Sequence, residues 1–314
     1  MEILCCGILV ADAIGKPVEK LPNKGELSLL NSIALHVGGC AANTGIGLAK
    51  IGIKTGIMGC VGEDNFGKFI EDYFVTHKID IRGIIKKKNI ATSATLVLVS
   101  SQGERSFLHY IGANQEFSLK EINYKLIEEC KIFHIGGAFL LPKLDGKPME
   151  NLLKKVQEMK KITSLDSCWD DKKQWDKLIK PCLKYVDIFL PSIEEAKKIT
   201  HHKTPEKIAE TFINWGVKIV GLKMGIKGSY IRTKDTEIYI PSYSVKCIDA
   251  TGAGDSFVAG FLTGIIKGWN LEKTGKFANA VGALCVQEVG STKGIKSLNQ
   301  TLQFIKDNNI KIKS

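Results

Sequence analysis

Short apolar runs with strand character recur along this chain, and between several of them lie segments whose apolar residues return every three or four positions. Ile3 to Leu9, Thr55 to Val61, Ile132 to Ile135, Ile162 to Leu165, Ile188 to Leu190 and Ile219 to Leu222 read as buried strands. Amphipathic helices are predicted over Asn65 to His77, Met149 to Lys160, Ile193 to Thr200 and Pro205 to Trp215. Such alternation restricts the fold to the α/β class, a mostly parallel sheet with helices on both faces. From Gly254 onward the chain reads as mostly helical. Two segments break the pattern. Ala94 to Ser100 and Arg105 to Tyr110 flank the turn Ser101-Gln102-Gly103-Glu104 and read as a β-hairpin. Ala13 to Val37 contains Pro17, Pro22 and Gly25 and has no helical period.

Composition narrows the function classes. The 314 residues suit one large α/β unit with a small insertion, and no linker or internal repeat divides them. No apolar run reaches membrane-spanning length, and Met1-Glu2-Ile3-Leu4 lacks the basic segment of a signal peptide. Nine cysteines, an odd number without a Cys-x-x-Cys pair, fit reduced thiols in a cytoplasm better than a disulfide framework or a zinc site. The net charge of +11 is nearly all lysine spread along the chain, because Arg82, Arg105 and Arg232 are the only arginines. A nucleic-acid reader concentrates arginine and aromatic residues on one surface, so no nucleic-acid partner is expected.

The chemistry-bearing run is Asp249-Ala250-Thr251-Gly252-Ala253-Gly254-Asp255-Ser256-Phe257. Small residues between two carboxylates lead into an apolar helical stretch of Val258, Phe261, Leu262, Ile265 and Ile266. A small-residue turn opening a helix leaves backbone N–H groups unpaired, which suits a phosphate. Asp255 falls in the first helical turn, where the positive end of the helix dipole favours an ionised carboxylate. A base beside an anion hole is what phosphoryl transfer to an alcohol requires. Gly-x-Gly-Asp alone serves equally well as an ordinary helix cap.

A second run, Gly38-Gly39-Cys40-Ala41-Ala42-Asn43, decides between these readings. The pair resembles the two signatures of the ribokinase-like (PfkB) family of carbohydrate kinases, and intermediate landmarks fall in the family's order. These are Asp12 at the carboxyl end of the first strand, Gly112-Ala113-Asn114 after the hairpin, Pro191-Ser192-Ile193-Glu194-Glu195, Met224-Gly225-Ile226-Lys227-Gly228 and Asn279-Ala280. The resemblance implies a three-layer αβα fold over 1–314 with a small β lid from segments near 13–37 and 90–112. It implies ATP and Mg2+ as cofactors and a small sugar as acceptor. Gly252, Ala253 and Gly254 would form the anion hole and Asp255 the base. Asp12, Gly38, Gly39, Asn43 and Arg105, with Asp255, would hold the sugar. The nucleotide would lie along Ser192, Met224, Gly225, Lys227, Gly228, Gly254 and Asn279, with Glu195 reaching magnesium through water. Asp249 and the loop Gly290-Ser291-Thr292-Lys293-Gly294 fall where family members hold a monovalent cation such as K+. Family members often dimerise through the lid.

One departure stands out: Ser192 occupies the place of the family's asparagine in Asn-x-x-Glu, with Glu195 kept. The leading expectation is ATP-dependent phosphorylation of a hydroxymethyl group on a ribose- or fructose-like sugar. A nucleoside kinase is the alternative, with only Phe107 and Phe139 as candidate aromatic bed. An acidic sugar would need cationic partners, for which 105–110 offers Arg105 and His109. A sugar-binding sensor without turnover is the reading from outside enzymology. Neither a Walker A sequence nor a complete dinucleotide fingerprint is present, since Lys50 stands where Gly45-Ile46-Gly47 would need a third small residue. The six histidines show no zinc-ligand spacing.

Overall fold

The computed structural model describes residues 1–308 and 310. The chain begins with β1 (Ile3–Gly7), then β2 (Val10–Lys16), β3 (Ser32–Gly38) and α1 (Cys40–Ile51). Next come β4 (Thr55–Gly62), α2 (Asn65–Thr76), β5 (Asp80–Lys87), β6 (Ala94–Val99), β7 (Arg105–Tyr110) and α3 (Tyr124–Glu128). The middle holds β8 (Ile132–Ala138), α4 (Lys147–Glu158), β9 (Ile162–Ser167), α5 (Trp175–Leu183), β10 (Ile188–Phe189), α6 (Ile193–Thr200) and α7 (Pro205–Asn214). It ends with β11 (Ile219–Lys223), β12 (Ser229–Arg232), β13 (Glu237–Ile240), α8 (Ala253–Ile266), α9 (Leu271–Cys285) and α10 (Leu298–Asp307).

Nine strands form the main sheet in the order β13-β12-β11-β10-β9-β8-β1-β4-β5. All neighbours pair parallel except β11 with β12 and β12 with β13. The strand β1 is buried on both faces, as a central parallel strand requires. Leu4 and Cys6 pack toward α3 to α7, whereas Ile3 and Cys5 pack toward α1, α2, α8, α9 and α10. Burying each such apolar side chain contributes about 1.5–3 kcal/mol, which fixes the strand's register between two helical layers. From β1 the chain runs outward through β4 and β5 and returns to β8 on β1's other side. The switch point therefore lies at the carboxyl ends of β1 and β8, where sheets of this class leave a ligand crevice.

The second sheet has four strands in the order β3-β2-β6-β7 and forms the lid. Its two faces differ because successive side chains alternate. His36, Asp12, Thr95 and His109 are cross-strand partners in one row, and Leu35, Ala13, Leu96 and Leu108 form the neighbouring row. The first row faces a cavity. The second includes exposed Leu35, Leu96 and Leu108, the latter two more than half exposed.

Two expectations change here. The first strand ends at Gly7, so Asp12 lies not at its carboxyl end but within lid strand β2. The long apolar run concealed the break. The strands β5, β12 and β13 and the helix α5 also escape the apolar pattern, since β5 carries Asp80, Arg82, Lys86 and Lys87 and α5 has Pro181 inside it.

Candidate active site

Helix α8 opens on Gly252, whose φ of 75° lies in the left-handed region. A Cβ there would sit 2.1 Å from the Ser291 carbonyl oxygen, so both conformation and space demand glycine. The turn leaves Asp255 in the first turn of α8. Asn43 Nδ2 donates to Asp255 Oδ2 at 2.8 Å, and Asn43 Oδ1 accepts from Ser291 Oγ at 2.9 Å. Asn43 is thereby committed to α8 and the 290–294 loop, and it lines neither of the two cavities beside it. Burial raises Asp255 above the usual carboxylate range, against the opposing pull of Asn43 and Lys223. The helix dipole alone suggested a more acidic group; desolvation outweighs it.

The larger cavity, about 570 Å³, contains Ser192, Glu195, Met224, Gly225, Gly228, Gly252, Ala253, Gly254, Asp255 and Asn279 among its walls. Lys227 is outside it; its carbonyl accepts from the Tyr239 hydroxyl. Asn279 Nδ2 donates to the Ile240 and Pro241 carbonyls, each at 3.0 Å. Ser192 opens α6 through a capping box: its Oγ accepts from Glu195 N, and Glu195 Oε2 accepts from Ser192 N. Serine and asparagine are comparable helix caps, which accounts for how serine can stand there. Glu195 also accepts from Ser167 Oγ at 3.0 Å.

Sequence reasoning missed a buried ion pair on the floor of this cavity. Lys223, the last residue of β11, donates from Nζ to both oxygens of Asp166 on β9, each at 2.7 Å. Its Nζ lies 3.4 Å from where a side chain on Gly254 would begin, so the ammonium sits beside the turn at α8. Burial pushes Asp166 up to about 7, with Glu195 and Asp255 acting in the same direction against Lys223. Against burial, the carboxylates of Asp166, Glu195 and Asp255 hold Lys223 protonated above its ordinary value. Lys-Met-Gly at the end of an apolar strand was the only signal; the partner is 57 residues earlier.

The smaller cavity, about 240 Å³, lies under the lid. Asp12, His36, Thr95, Arg105, Phe107 and His109 come from the lid, while Gly39, Thr251 and Ser291 come from below. Gly38 faces the Asp12 carboxylate so closely that a Cβ would fall 1.9 Å from Oδ2. Burial raises Asp12, with Thr95, His109 and His36 opposing, and burial lowers His109. Arg105 turns from β7 toward the turn before α8, pairing with Asp249 and donating to Thr251 Oγ1. Cys40 and Cys168 border both cavities with their sulfurs 3.2 Å apart. Among the described residues no group of three or more His, Cys, Asp or Glu side chains could hold a metal. Nor is any helix there long and apolar enough to cross a membrane.

The family model for pfkB family carbohydrate kinases matches residues 1–298. A putative sugar kinase of Pyrococcus horikoshii is 29% identical over 275 residues, covering 85% of this chain and 86% of that protein. Probable fructokinase-2 of Arabidopsis thaliana is 26% identical over 306 residues, covering 92% and 93%. The crystal structure of a putative ribokinase II from E. coli superposes with a TM-score of 0.86 in its apo form and 0.85 in complex with ATP and Mg2+, each at 25% identity and covering 98% of this chain and 99% of that one. The chain belongs to the pfkB family of carbohydrate kinases, phosphotransferases whose acceptor is an alcohol group.

Proposed function

We propose that the protein transfers the γ-phosphoryl group of ATP to a hydroxymethyl group of a small neutral sugar, ribose- or fructose-like, with Asp255 as base. The observation that carries this reading is the place of Asp255. It borders the larger cavity together with Gly252, Ala253 and Gly254, while Thr251, which begins the same turn, and Ser291 of the neighbouring loop border the smaller one. A nucleotide in the first cavity and a sugar in the second would meet at its carboxylate.

Volume supports this division of substrates. A cavity of about 570 Å³ is within the range of nucleotide-sized ligands, and one of about 240 Å³ is below it. Phe139, the candidate bed for a nucleoside base, instead packs edge-on against Trp175 at 5.4 Å. The almost fully exposed Ile226, with Val245 and Val286, offers an apolar clamp for the adenine. In the lid, His109 favours its neutral form, so its ring offers a hydrogen bond rather than a charge to a polyol. Asp12, Gly38 and Gly39 would bind the sugar, and Asn43 would orient the base rather than touch the sugar.

The chemistry follows from these placements. Asp255 takes the hydroxyl proton as the sugar oxygen bonds to the γ-phosphorus, and the bond between that phosphorus and the bridging oxygen of ADP breaks. Backbone N–H groups from Gly252 to Gly254 and the Lys223 ammonium face the charge that develops on the phosphoryl oxygens. Mg2+ carried on the nucleotide phosphates supplies further charge neutralisation, and Glu195 fits a contact through water.

The lid segments near 13–37 and 90–112 would close over the sugar within one kinase unit spanning the chain, and closure excludes water that competes for the phosphoryl group. The apolar row on the lid's outer face supports a homodimer formed there. All nine cysteines are free, which fits a reducing compartment such as the cytoplasm. Phosphorus NMR of the product tests the assignment: a phosphomonoester on a primary carbon is expected, and a phosphate on a secondary or anomeric oxygen contradicts it.

A further inference from the structure

The family resemblance leads to a monovalent cation beside Asp249, and the residues around Asp249 do not fit one. Its side chain is 1% exposed. Oδ1 accepts from Thr251 N at 2.8 Å, and Oδ2 accepts from Gly290 N at 2.7 Å. Oδ2 also pairs with the Arg105 guanidinium, which donates in addition to Thr251 Oγ1. Both carboxylate oxygens are therefore engaged and the charge is already cancelled. A second cation against the same carboxylate would meet the guanidinium's repulsion at short range.

We propose that Arg105 is a positioning residue that takes the place of the monovalent cation: its guanidinium neutralises Asp249, braces the Thr251–Gly254 turn and makes the protein independent of potassium. Three features argue for it. Asp249 holds both arms of the site, the turn before α8 through Thr251 N and the 290–294 loop through Gly290 N. A buried carboxylate in that position needs a counter-charge, and arginine supplies one that stays charged and bonds in two directions at once. Arg105 also stands on lid strand β7 and lines the sugar-sized cavity. The brace therefore exists only while the lid lies over the site, so a sugar that holds the lid down also completes the anion-binding turn.

This inference rests on the kinase reading only for what the turn binds, and its test needs neither ATP nor sugar. Thermal unfolding of the wild type, Arg105→Ala and Arg105→Lys is followed in potassium chloride and in tetramethylammonium chloride at matched ionic strength. The wild type and Arg105→Lys are expected to unfold at the same temperature in both salts. Arg105→Ala is expected to unfold about 3 °C or more higher in potassium, because the vacated carboxylate takes the ion. Arg105→Gln serves as the neutral variant should the alanine protein fail to fold. A potassium-specific rise in the wild type, or no such rise in the neutral variants, overturns the proposal. A loss of mere packing would lower the unfolding temperature equally in both salts, which also counts against it. Should no sugar be phosphorylated while this salt pattern holds, the kinase reading falls and the role of Arg105 stands.

Discussion

The amide of Asn43 donates to the carboxylate of Asp255 at 2.8 Å, joining two motifs that lie 212 residues apart. The bond favours the ionised form of Asp255 against the burial that raises it. Removing it takes away a lowering influence, so the pKa of the base rises further. Asn43→Ala should shift the acid limb of kcat/KM to higher pH and lower kcat about tenfold at neutral pH, less than the loss of about 10²–10⁴ expected when the base itself is removed. The pH profile of the variant checks this. A limb that stays where the wild type has it would mean that Asn43 does not act on the base.

Lys223 brings a fixed positive charge to the turn at α8, with Asp166 as its resting partner. Lys223→Met should lower kcat by about 10²–10³, as loss of one stabilising donor does, with a smaller change in the KM for ATP. Steady-state kinetics separates the two constants. A variant with normal kcat and a raised KM would make Lys223 a contact of ground-state binding alone.

Leu96 and Leu108 are cross-strand partners on the outer face of the lid, each more than half exposed. Such a face is expected to be covered by the same face of a second copy. Light scattering should report a dimer for the wild type and a monomer for Leu96→Asp with Leu108→Asp. A monomeric wild type removes the lid interface from the account.

How far these features can be read from the sequence depends on their range. The parallel strands were legible because strands buried on both faces read as near-continuous apolar runs, as Ile3 to Cys6 shows. The glycine turn before Asp255 was legible because its conformation excludes other residues, whereas the capping box that Ser192 makes with Glu195 was not read from the sequence. Asp12 was placed on the wrong strand because apolar residues continue past Gly7, where the chain leaves one sheet for the other. The pairing of Lys223 with Asp166 and the reach of Arg105 to Asp249 had no local signal beyond the place of Lys223 at a strand end. Both are contacts between distant segments, decided by which strand ends the sheet order brings together.

Deprotonation of a sugar hydroxyl by Asp255 for attack on ATP can be followed in a single assay. ADP release with Mg-ATP is measured across ribose, fructose, other ketoses, sugar acids and nucleosides, for the wild type and for Asp255→Asn. A neutral monosaccharide is expected as the strong substrate, and Asp255→Asn is expected to lose at least about 10²–10⁴ in kcat with sugar binding retained. Turnover by Asp255→Asn at the wild-type rate, or a wild type that binds sugar and phosphorylates none of the panel, would contradict it.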